Sequence, residues 1–203
     1  MKLAPGARFL IPLLGIAMLS VQHASAAPIP PPPSLTPPIP ANATDVGCDQ
    51  TGTGITCSYT IHFSFRDPAF VNCGDFLIAD SGSGVIQVTR HYDLSDTLLE
   101  EVRHFDYTGT EFNASQPTHT ATRVGHFMVT IDFHNGRPIL QTFTGLTTQV
   151  VVLGLGVVGL DAGRLVINRV TNTLVSASGT HDFIFPTVAG VTRDTQKLCS
   201  ALR

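Results

Sequence analysis

The sequence predicts an all-β protein, a small antiparallel barrel or sandwich with a short C-terminal helix. Apolar and polar residues alternate with a period of two in several stretches, and glycine-containing turns separate these stretches. A helical period is nearly absent before residue 192. Many short strands at regular spacing are typical of both closed barrels and sandwiches, so both architectures stay open.

Two stretches show the alternation most clearly. Aromatic and β-branched residues occupy every second position of residues 59–65 and of residues 127–133, which predicts two strands with one buried face each. Asn135-Gly136 follows the second stretch, and both residues tolerate the positive φ of a type I′ hairpin turn. Further strands are predicted at residues 85–92, 98–107, 139–146, 149–153, 164–170 and 174–178, and a helix at residues 192–202.

The first 26 residues are typical of a secretory signal peptide. Lys2 and Arg8 precede an apolar stretch too short to span a bilayer, and small residues follow at positions 24–27. We therefore predict a secreted protein that is cleaved after Ala26 or Ala27. Residues 27–45 are proline-rich and predict a disordered spacer, which leaves residues 46–203 as a single β-domain.

Charge and composition argue against nucleic acid as a partner. Removing Lys2 and Arg8 from the 12 basic residues leaves 10 against 15 acidic ones, a net charge near −5. Nucleic-acid binding depends mainly on basic side chains that neutralise phosphates. No segment after the first 26 residues has about 18 consecutive apolar residues, so no transmembrane segment is predicted.

Four cysteines lie after the predicted cleavage site. An even number in an oxidising compartment predicts two disulfides, for which three connectivities are possible. Cys48 and Cys57 flank a turn-rich loop, which favours a local bridge between them and leaves Cys73 for Cys199. A zinc site is the alternative, but no C-x-x-C pair is present, so no metal ligands are predicted.

Two glycine-containing patterns invite a catalytic or cofactor interpretation. Gly154 to Gly159 match G-x-G-x-x-G after an apolar run, but a further strand is predicted where a dinucleotide site requires a helix. We therefore predict a bend and no bound cofactor. Ser81-Gly82-Ser83-Gly84 and Ser176-Ala177-Ser178-Gly179 lack the G-x-S-x-G pattern and are interpreted as turns, so no catalytic nucleophile is assigned.

Polar residues on predicted strands are the candidates for lining a ligand site. Histidines and carboxylates share strand faces opposite the apolar positions, and a barrel that turned these faces inward would bring them together for acid-base chemistry or ligand contact. The candidate lining residues are His62, His104, His126 and Arg164.

Several short motifs from Cys73 to the C-terminus carry a resemblance to a known group. They are Cys73-Gly74-Asp75-Phe76, Thr108-Gly109-Thr110, Thr144-Gly145-Leu146, residues 156–166, Ser178-Gly179-Thr180-His181 and Cys199-Ser200-Ala201-Leu202. On these motifs the chain resembles uncharacterised secreted β-domain proteins of actinobacteria. The resemblance implies a bridge from Cys73 to Cys199 and a small barrel similar to allene oxide cyclases or dirigent proteins. It implies no activity, because a fold alone does not carry function.

Three functions remain open from the sequence. The first is a secreted binding domain for a small apolar or amphipathic ligand or for a surface partner. The second is a cofactor-free enzyme of the isomerase or cyclase type with a lumen lined by His, Asp and Arg. The third is a purely structural cell-surface component. A filled interior would favour the structural role, whereas a lined pocket would favour ligand binding or catalysis.

Overall fold

The computed structural model of the chain describes residues 27–182 and 195–203; the predicted signal peptide lies outside these ranges. Nine antiparallel strands form one sheet in which each strand pairs with its neighbours in sequence. The predicted all-β class and the C-terminal helix are confirmed. The elements are β1 (Ala27–Ile29), β2 (Thr44–Thr51), β3 (Gly54–Asn72), β4 (Leu77–Tyr92), β5 (Leu98–Asn113), β6 (Gln116–His134), β7 (Arg137–Val152), β8 (Gly156–Asn168), β9 (Thr173–His181) and α1 (Gln196–Ala201).

The sheet is not closed into a barrel. Within the described residues, β1 and β9 are its two edges and do not pair with each other. All nine strands also belong to a single hydrogen-bonded sheet, so it is not a pair of separate sheets. The predicted choice between barrel and sandwich is therefore replaced by one open meander of long strands.

Cross-strand register separates the two faces of this sheet. Phe63 lies opposite Gly84, Gly84 opposite Tyr107, and Tyr107 opposite Gly125. Residues directly opposite each other point to the same face, so these positions form one row across four strands. We call this side the aromatic face, which carries Tyr59, Phe63, Phe65, Phe105, Tyr107 and Phe127. The other side is called the histidine face, which carries His62, His104 and His126.

The strands are longer than their sequence patterns indicate. The two strands predicted at residues 139–146 and 149–153 are joined in β7, which continues through a register shift between Leu146 and Thr148 and ends at Val152. The serine-glycine stretches at 81–84 and 176–179 lie inside β4 and β9, so their interpretation as turns is wrong. Glycine within a strand marks a place where another group approaches the backbone closely.

The predicted turns at two other places are confirmed. Asn135 and Gly136 join β6 to β7 with φ values of 52° and 71°, as the Asn-Gly pair predicts. Only the first residues of the glycine run lie in the turn between β7 and β8, and Gly154 and Gly156 have φ values of 83° and 80°. β8 begins at Gly156, so this run opens a strand and not the helix on which a dinucleotide cradle depends.

One end of the aromatic face is covered by α1. Leu198 and Leu202 are fully buried against Ile78, Ala121 and Val150 of the sheet. The Asn113 side chain donates a hydrogen bond of 3.0 Å to the Leu202 carbonyl oxygen. The disulfide from Cys73 to Cys199 joins this helix to the end of β3.

The proline-rich segment covers the opposite end, where the structure departs from the predicted spacer. Leu35 is 3% exposed and packs in a cluster with Tyr92, Leu98 and the disulfide between Cys48 and Cys57. Tyr92 donates a hydrogen bond of 2.9 Å to the Pro37 carbonyl oxygen. Proline has no N–H donor, but its carbonyl still accepts, so a proline-rich chain can dock on hydroxyl and guanidinium groups.

The two predicted disulfides are both formed, and no cysteine is free in the part of the chain described. Disulfides of this kind are typical of proteins in oxidising compartments. Among the described residues, no helix is long and apolar enough to cross a membrane.

Candidate functional site

A cavity opens on the aromatic face, between the end covered by α1 and the end covered by the proline-rich segment. Its volume is about 310 Å³. We call it the aromatic cavity, since six of its lining side chains are aromatic. The lining residues are Phe63, Phe65, Asp67, Phe70, Asp80, Phe105, Tyr107, Arg123, Phe127, Thr147 and Thr148.

The rings around the cavity contact one another across strands. Phe105 and Phe127 stack with their centroids 4.6 Å apart, and Phe65 meets Tyr107 edge to face at 6.0 Å. Such offset and edge-to-face pairs stabilise beyond the burial of area alone. The wall of the cavity is therefore a connected set of rings held in fixed orientations.

Glycine residues make room for these rings on the sheet surface. A Cβ atom at Gly82 would lie 2.5 Å from Cζ of Phe65, and one at Gly125 would lie 2.2 Å from Cε1 of Tyr107. Both distances are far below van der Waals contact, so the rings lie directly on glycine backbone. The cross-strand register places both glycines on the aromatic face. Since glycine has no side chain, each leaves room there for a ring from a neighbouring strand.

Tyr107 is further fixed by its hydroxyl group. It donates a hydrogen bond of 2.7 Å to the Thr147 carbonyl oxygen and lies 2.9 Å from Oγ1 of Thr148. These bonds satisfy the one polar atom of a buried ring. The ring therefore cannot move aside without losing them.

Replacing Gly125 by alanine is expected to lower the free energy of unfolding by about 1 to 3 kcal/mol, because the new methyl group overlaps the Tyr107 ring. Urea denaturation measures the change. Gly47→Ala is the matched control, since nothing lies within 4 Å of its Cβ position, and it is expected to change stability by less than about 1 kcal/mol. Equal effects of the two variants would contradict the close packing of Tyr107.

Three buried charged residues lie at the α1 end of the cavity. Arg123 donates through Nη1 to Oδ2 of Asp80, and its Nε lies 3.8 Å from Oε1 of Glu111. Asp80 and Glu111 are 2% and 1% exposed. We call these three residues the charge cluster. Its two carboxyl groups outnumber its one guanidinium group, which is an unusual balance for a buried site.

Several polar atoms of the charge cluster have no hydrogen-bond partner among the described residues. They are Oδ1 of Asp80, both side-chain oxygens of Glu111 and Nε of Arg123. Unsatisfied buried polar atoms are costly and are rare in folded proteins. Since Asp80 and Arg123 also line the cavity, the cluster presents unused hydrogen-bonding capacity beside the rings.

Burial raises the pKa of the Glu111 carboxyl group to about 7. Asp80 raises it further by repulsion, while Arg123 lowers it. The pKa of Asp80 is also raised, chiefly by burial, although its ion pair with Arg123 opposes the shift. The cluster is therefore close to a change of charge at neutral pH.

We expect stability to fall between pH 4.5 and 7 because of Glu111. Its pKa is about 7 in the folded chain against an ordinary value of 4.5, so the folded state holds more protons between these values. Its contribution to the free energy of unfolding is therefore present at low pH and decreases by about 3 kcal/mol as pH rises through this range. Denaturation of Glu111→Gln across the range measures the effect.

The expected result is a smaller decrease with pH in Glu111→Gln than in the parent chain. Glu100→Gln is the control, because Glu100 lies on the histidine face and should leave the slope unchanged. If parent and Glu111→Gln lose stability equally between pH 4.5 and 7, the raised pKa of Glu111 is wrong.

A second charged network lies toward the proline-rich end of the aromatic face. Glu101 is 1% exposed and accepts from both Arg90 and Arg103. Arg90 also donates to the Pro38 carbonyl oxygen at 2.9 Å and lies over the Tyr59 ring. Both guanidinium groups pair with the one carboxylate of Glu101, and Arg90 links this network to the proline-rich segment, which it holds in place.

The four predicted lining residues lie on the histidine face and not at the aromatic cavity. His104 and His126 line an open depression of about 620 Å³ together with Asp106 and Met128. Nδ1 of His126 lies 3.3 Å from Oδ1 of Asp106, but both side chains are more than 60% exposed. His62 lies opposite Val85 and Arg164 opposite Thr144, so both share this face without lining the depression.

No group of three or more His, Cys, Asp or Glu residues suited to a metal ion occurs within residues 27–182 and 195–203. The residues that sequence reasoning missed are Asp80, Glu111 and Arg123. The sequence does contain a signal for them, because each occupies a position that the period-two pattern assigns to the apolar face of its strand. Arg123, for example, lies two residues from Ala121 and two from Gly125 on the same face of β6. A charged residue in the buried phase of a strand indicates an internal partner or a ligand.

Comparison with known proteins finds no family model, no curated protein and no solved structure that matches this chain. The resemblance to secreted actinobacterial β-domains therefore stays a prediction, and the function has to be argued from the site.

Proposed function

We propose that the chain is an exported binding protein that takes a small apolar or amphipathic molecule into the aromatic cavity. The observation that carries the proposal is the cavity itself, which combines six aromatic side chains with a few polar groups at one end. Small-molecule sites are typically concave and apolar, with a small number of placed polar groups that orient the ligand. A volume of about 310 Å³ suits a molecule of one or two rings.

The burial of the rings supports binding over a purely structural role. Phe63, Phe65, Phe105 and Phe127 face the same side as the core but are only half-buried. In a domain built for stability alone, such rings would be packed to native density, because unfilled space beside them forfeits contacts. A ligand in the cavity would remove their remaining apolar surface from water, at about 25 cal/mol per Å².

Export is part of the proposal. Residues 1–26 have the pattern of a signal peptide but lie outside the described residues. The two disulfides agree with an oxidising compartment. A secreted binding protein can collect its ligand from solution without a cofactor.

The proposal is tested with 6-propionyl-2-(dimethylamino)naphthalene, a neutral two-ring probe whose fluorescence rises in apolar surroundings. We expect a saturable rise with the full chain. Phe63→Leu is expected to weaken binding by about threefold to tenfold through loss of ring contacts. Phe112→Leu is the matched control, because Phe112 lies in a row on the histidine face and should leave the affinity unchanged.

Two results would overturn the binding proposal. One is a fluorescence titration that does not saturate, which a purely structural component would give. The other is an equal loss of affinity in Phe63→Leu and Phe112→Leu, which would place the probe elsewhere or indicate a general loss of structure.

A second candidate is a cofactor-free enzyme of the isomerase or cyclase type. One observation favours it: Glu111 has a pKa of about 7, and such a carboxyl group suits general acid-base chemistry. However, Glu111 contacts Arg123 from behind and does not itself line the cavity. We therefore favour binding. A bound molecule that chromatography recovers unchanged after incubation would support binding, whereas a converted molecule would support the enzyme.

A further inference from the structure

The aromatic cavity carries more negative than positive groups. Asp67 and Asp80 line it directly, Glu111 lies behind Arg123, and Arg123 is the one cationic side chain among the lining residues described. Asp67 and Asp80 are directly opposite each other in the register of β3 and β4, so their carboxyl groups share one end of the cavity. A site with this balance attracts a positive charge.

Asp80 provides the contact point for such a charge. Its side chain is 3% exposed, and Arg123 occupies Oδ2 only. Oδ1 is buried without a hydrogen-bond partner among the described residues, although Asp80 lines the cavity. This oxygen has almost no exposed surface of its own, so a donor in the cavity reaches it after a small turn of the Asp80 side chain. A charged donor then gives the stronger bond.

The rings already hold one cation. The guanidinium carbon of Arg123 lies 4.9 Å from the Phe70 centroid, 5.3 Å from Tyr107 and 5.8 Å from Phe65. Aromatic faces carry a negative quadrupole that attracts cations, and the attraction is stronger where water is excluded. The walls of the cavity therefore favour positive charge as well as apolar surface.

We propose, building on the function inferred above, that the ligand is a small organic amine in its protonated form. Its ammonium group donates to Oδ1 of Asp80, and its apolar or aromatic body packs against Phe63, Phe105 and Phe127. An anion is disfavoured, because Arg123 already pairs with Asp80 and has only its buried Nε without a partner among the described residues. An incoming carboxylate would also meet the carboxyl groups of Asp67, Asp80 and Glu111.

The proposal makes proton release a consequence of binding. The charged groups that act on Glu111 are Arg123 on β6 and Asp80 on β4. Tyr107 acts in turn on Arg123, and Asp67 on β3 acts on Asp80. A second cation beside Arg123 stabilises the ionised form of Glu111, whose pKa is about 7 when the cavity holds only Arg123. Binding near pH 7 should therefore release a fraction of a proton.

The test compares three probes of one shape on the full chain. They are 1-naphthylmethylamine, the neutral 1-naphthylmethanol and the anionic 1-naphthoate, with affinities measured by calorimetry at pH 7 and low salt. We expect the amine to bind at least about tenfold more tightly than the alcohol, and naphthoate to bind most weakly. Asp80→Asn should reduce the affinity for the amine to that for the alcohol, and the affinity for the alcohol itself should stay the same.

Two further variants keep the test sharp if Asp80→Asn loses stability. Asp67→Asn removes a carboxylate at the edge of the cavity and should lower the affinity for the amine by about threefold. Asp75→Asn is the matched control, because Asp75 is exposed and pairs with Arg203 away from the cavity, so it should change nothing. Calorimetry in buffers of different ionisation enthalpy should detect proton release in the parent chain and none in Glu111→Gln.

The outcomes separate this proposal from the broader one. If the alcohol or naphthoate binds as tightly as the amine, or if Asp80→Asn and Asp67→Asn both leave amine binding intact, the preference for an amine is overturned while apolar binding stands. If none of the three probes binds and the neutral two-ring probe also fails to bind, the proposed function itself falls.

Discussion

Removing the disulfide between Cys73 and Cys199 is expected to lower the free energy of unfolding by about 5 kcal/mol. The bridge joins residues 126 positions apart, so its loss releases a large number of unfolded conformations. It also holds α1, a helix of six residues; Leu198 in the helix and Leu202 directly after it are fully buried in the core. So short a helix is not stable without tertiary contacts.

The matched comparison removes the bridge between Cys48 and Cys57, which are 9 positions apart. The chain-entropy model gives about 2.5 kcal/mol for this loop, and the pairing of β2 with β3 keeps the two residues opposite each other without it. Alanine is the better replacement in both pairs, because Cys57 is fully buried and a serine hydroxyl there would add a cost of its own.

Chemical denaturation of the two double variants measures the ranking. We expect the parent chain to be the most stable, the double variant Cys48→Ala with Cys57→Ala to be intermediate, and Cys73→Ala with Cys199→Ala to be the least stable. A larger loss from the short loop would mean that docking of α1 contributes little to stability. The description of α1 as a stabilising cover of the aromatic face would then be wrong.

Replacing Arg123 by methionine is expected to cost about 3 to 5 kcal/mol of stability at pH 8. The variant leaves Asp80 and Glu111 buried beside each other without a positive charge. It also removes the cation from the faces of Phe65, Phe70 and Tyr107. The loss arises mainly from the uncompensated carboxylates, since methionine retains most of the apolar stem.

The loss should shrink as pH falls. Both carboxyl groups have pKa values raised by burial, so they take up protons more readily in the folded chain and become neutral without Arg123. Thermal or urea denaturation at pH 5 and pH 8 measures the difference. A loss that is the same at both values would contradict the assignment of the cost to buried charge.

Two variants serve as controls for Arg123→Met. Arg103→Met makes the same substitution on the same face, but Glu101 keeps Arg90 as its partner, so the loss should be about 1 kcal/mol. Adding Asp80→Asn and Glu111→Gln to Arg123→Met removes the isolated charges and should restore most of the lost stability. Failure of this triple variant to recover would indicate that packing, and not charge, is decisive.

Much of the local structure could be predicted from single residues and short patterns. The period-two alternation of residues 59–65 predicts a strand with one buried face, and β3 has that arrangement. Asn135-Gly136 predicts the turn that joins β6 to β7, and the positive φ of both residues agrees with it. These features depend on steric preferences within a few residues, which the sequence states directly.

The candidate site could not be predicted in the same way. Alternation separates the histidines from the phenylalanines, but it does not say which side encloses a cavity. Gly82 and Gly84 resemble a turn when taken alone, and only the rings of Phe65 and Phe63 above them explain why glycine is required inside β4. Such a contact joins two strands, and no pattern along one strand records it.

The sequence by itself determined the alternation of the clearest strands, the hairpin turn and the mild negative charge, and it favoured the cysteine pairing that the structure has. The tertiary structure alone decided that the sheet stays open, that the proline-rich segment docks on Tyr92, and that Asp80, Glu111 and Arg123 meet in one buried cluster. The physical reason is the distance along the chain over which each interaction acts. Backbone preferences act within a few residues, whereas desolvation and ion pairing depend on groups that only folding brings together, here from β4, β5 and β6.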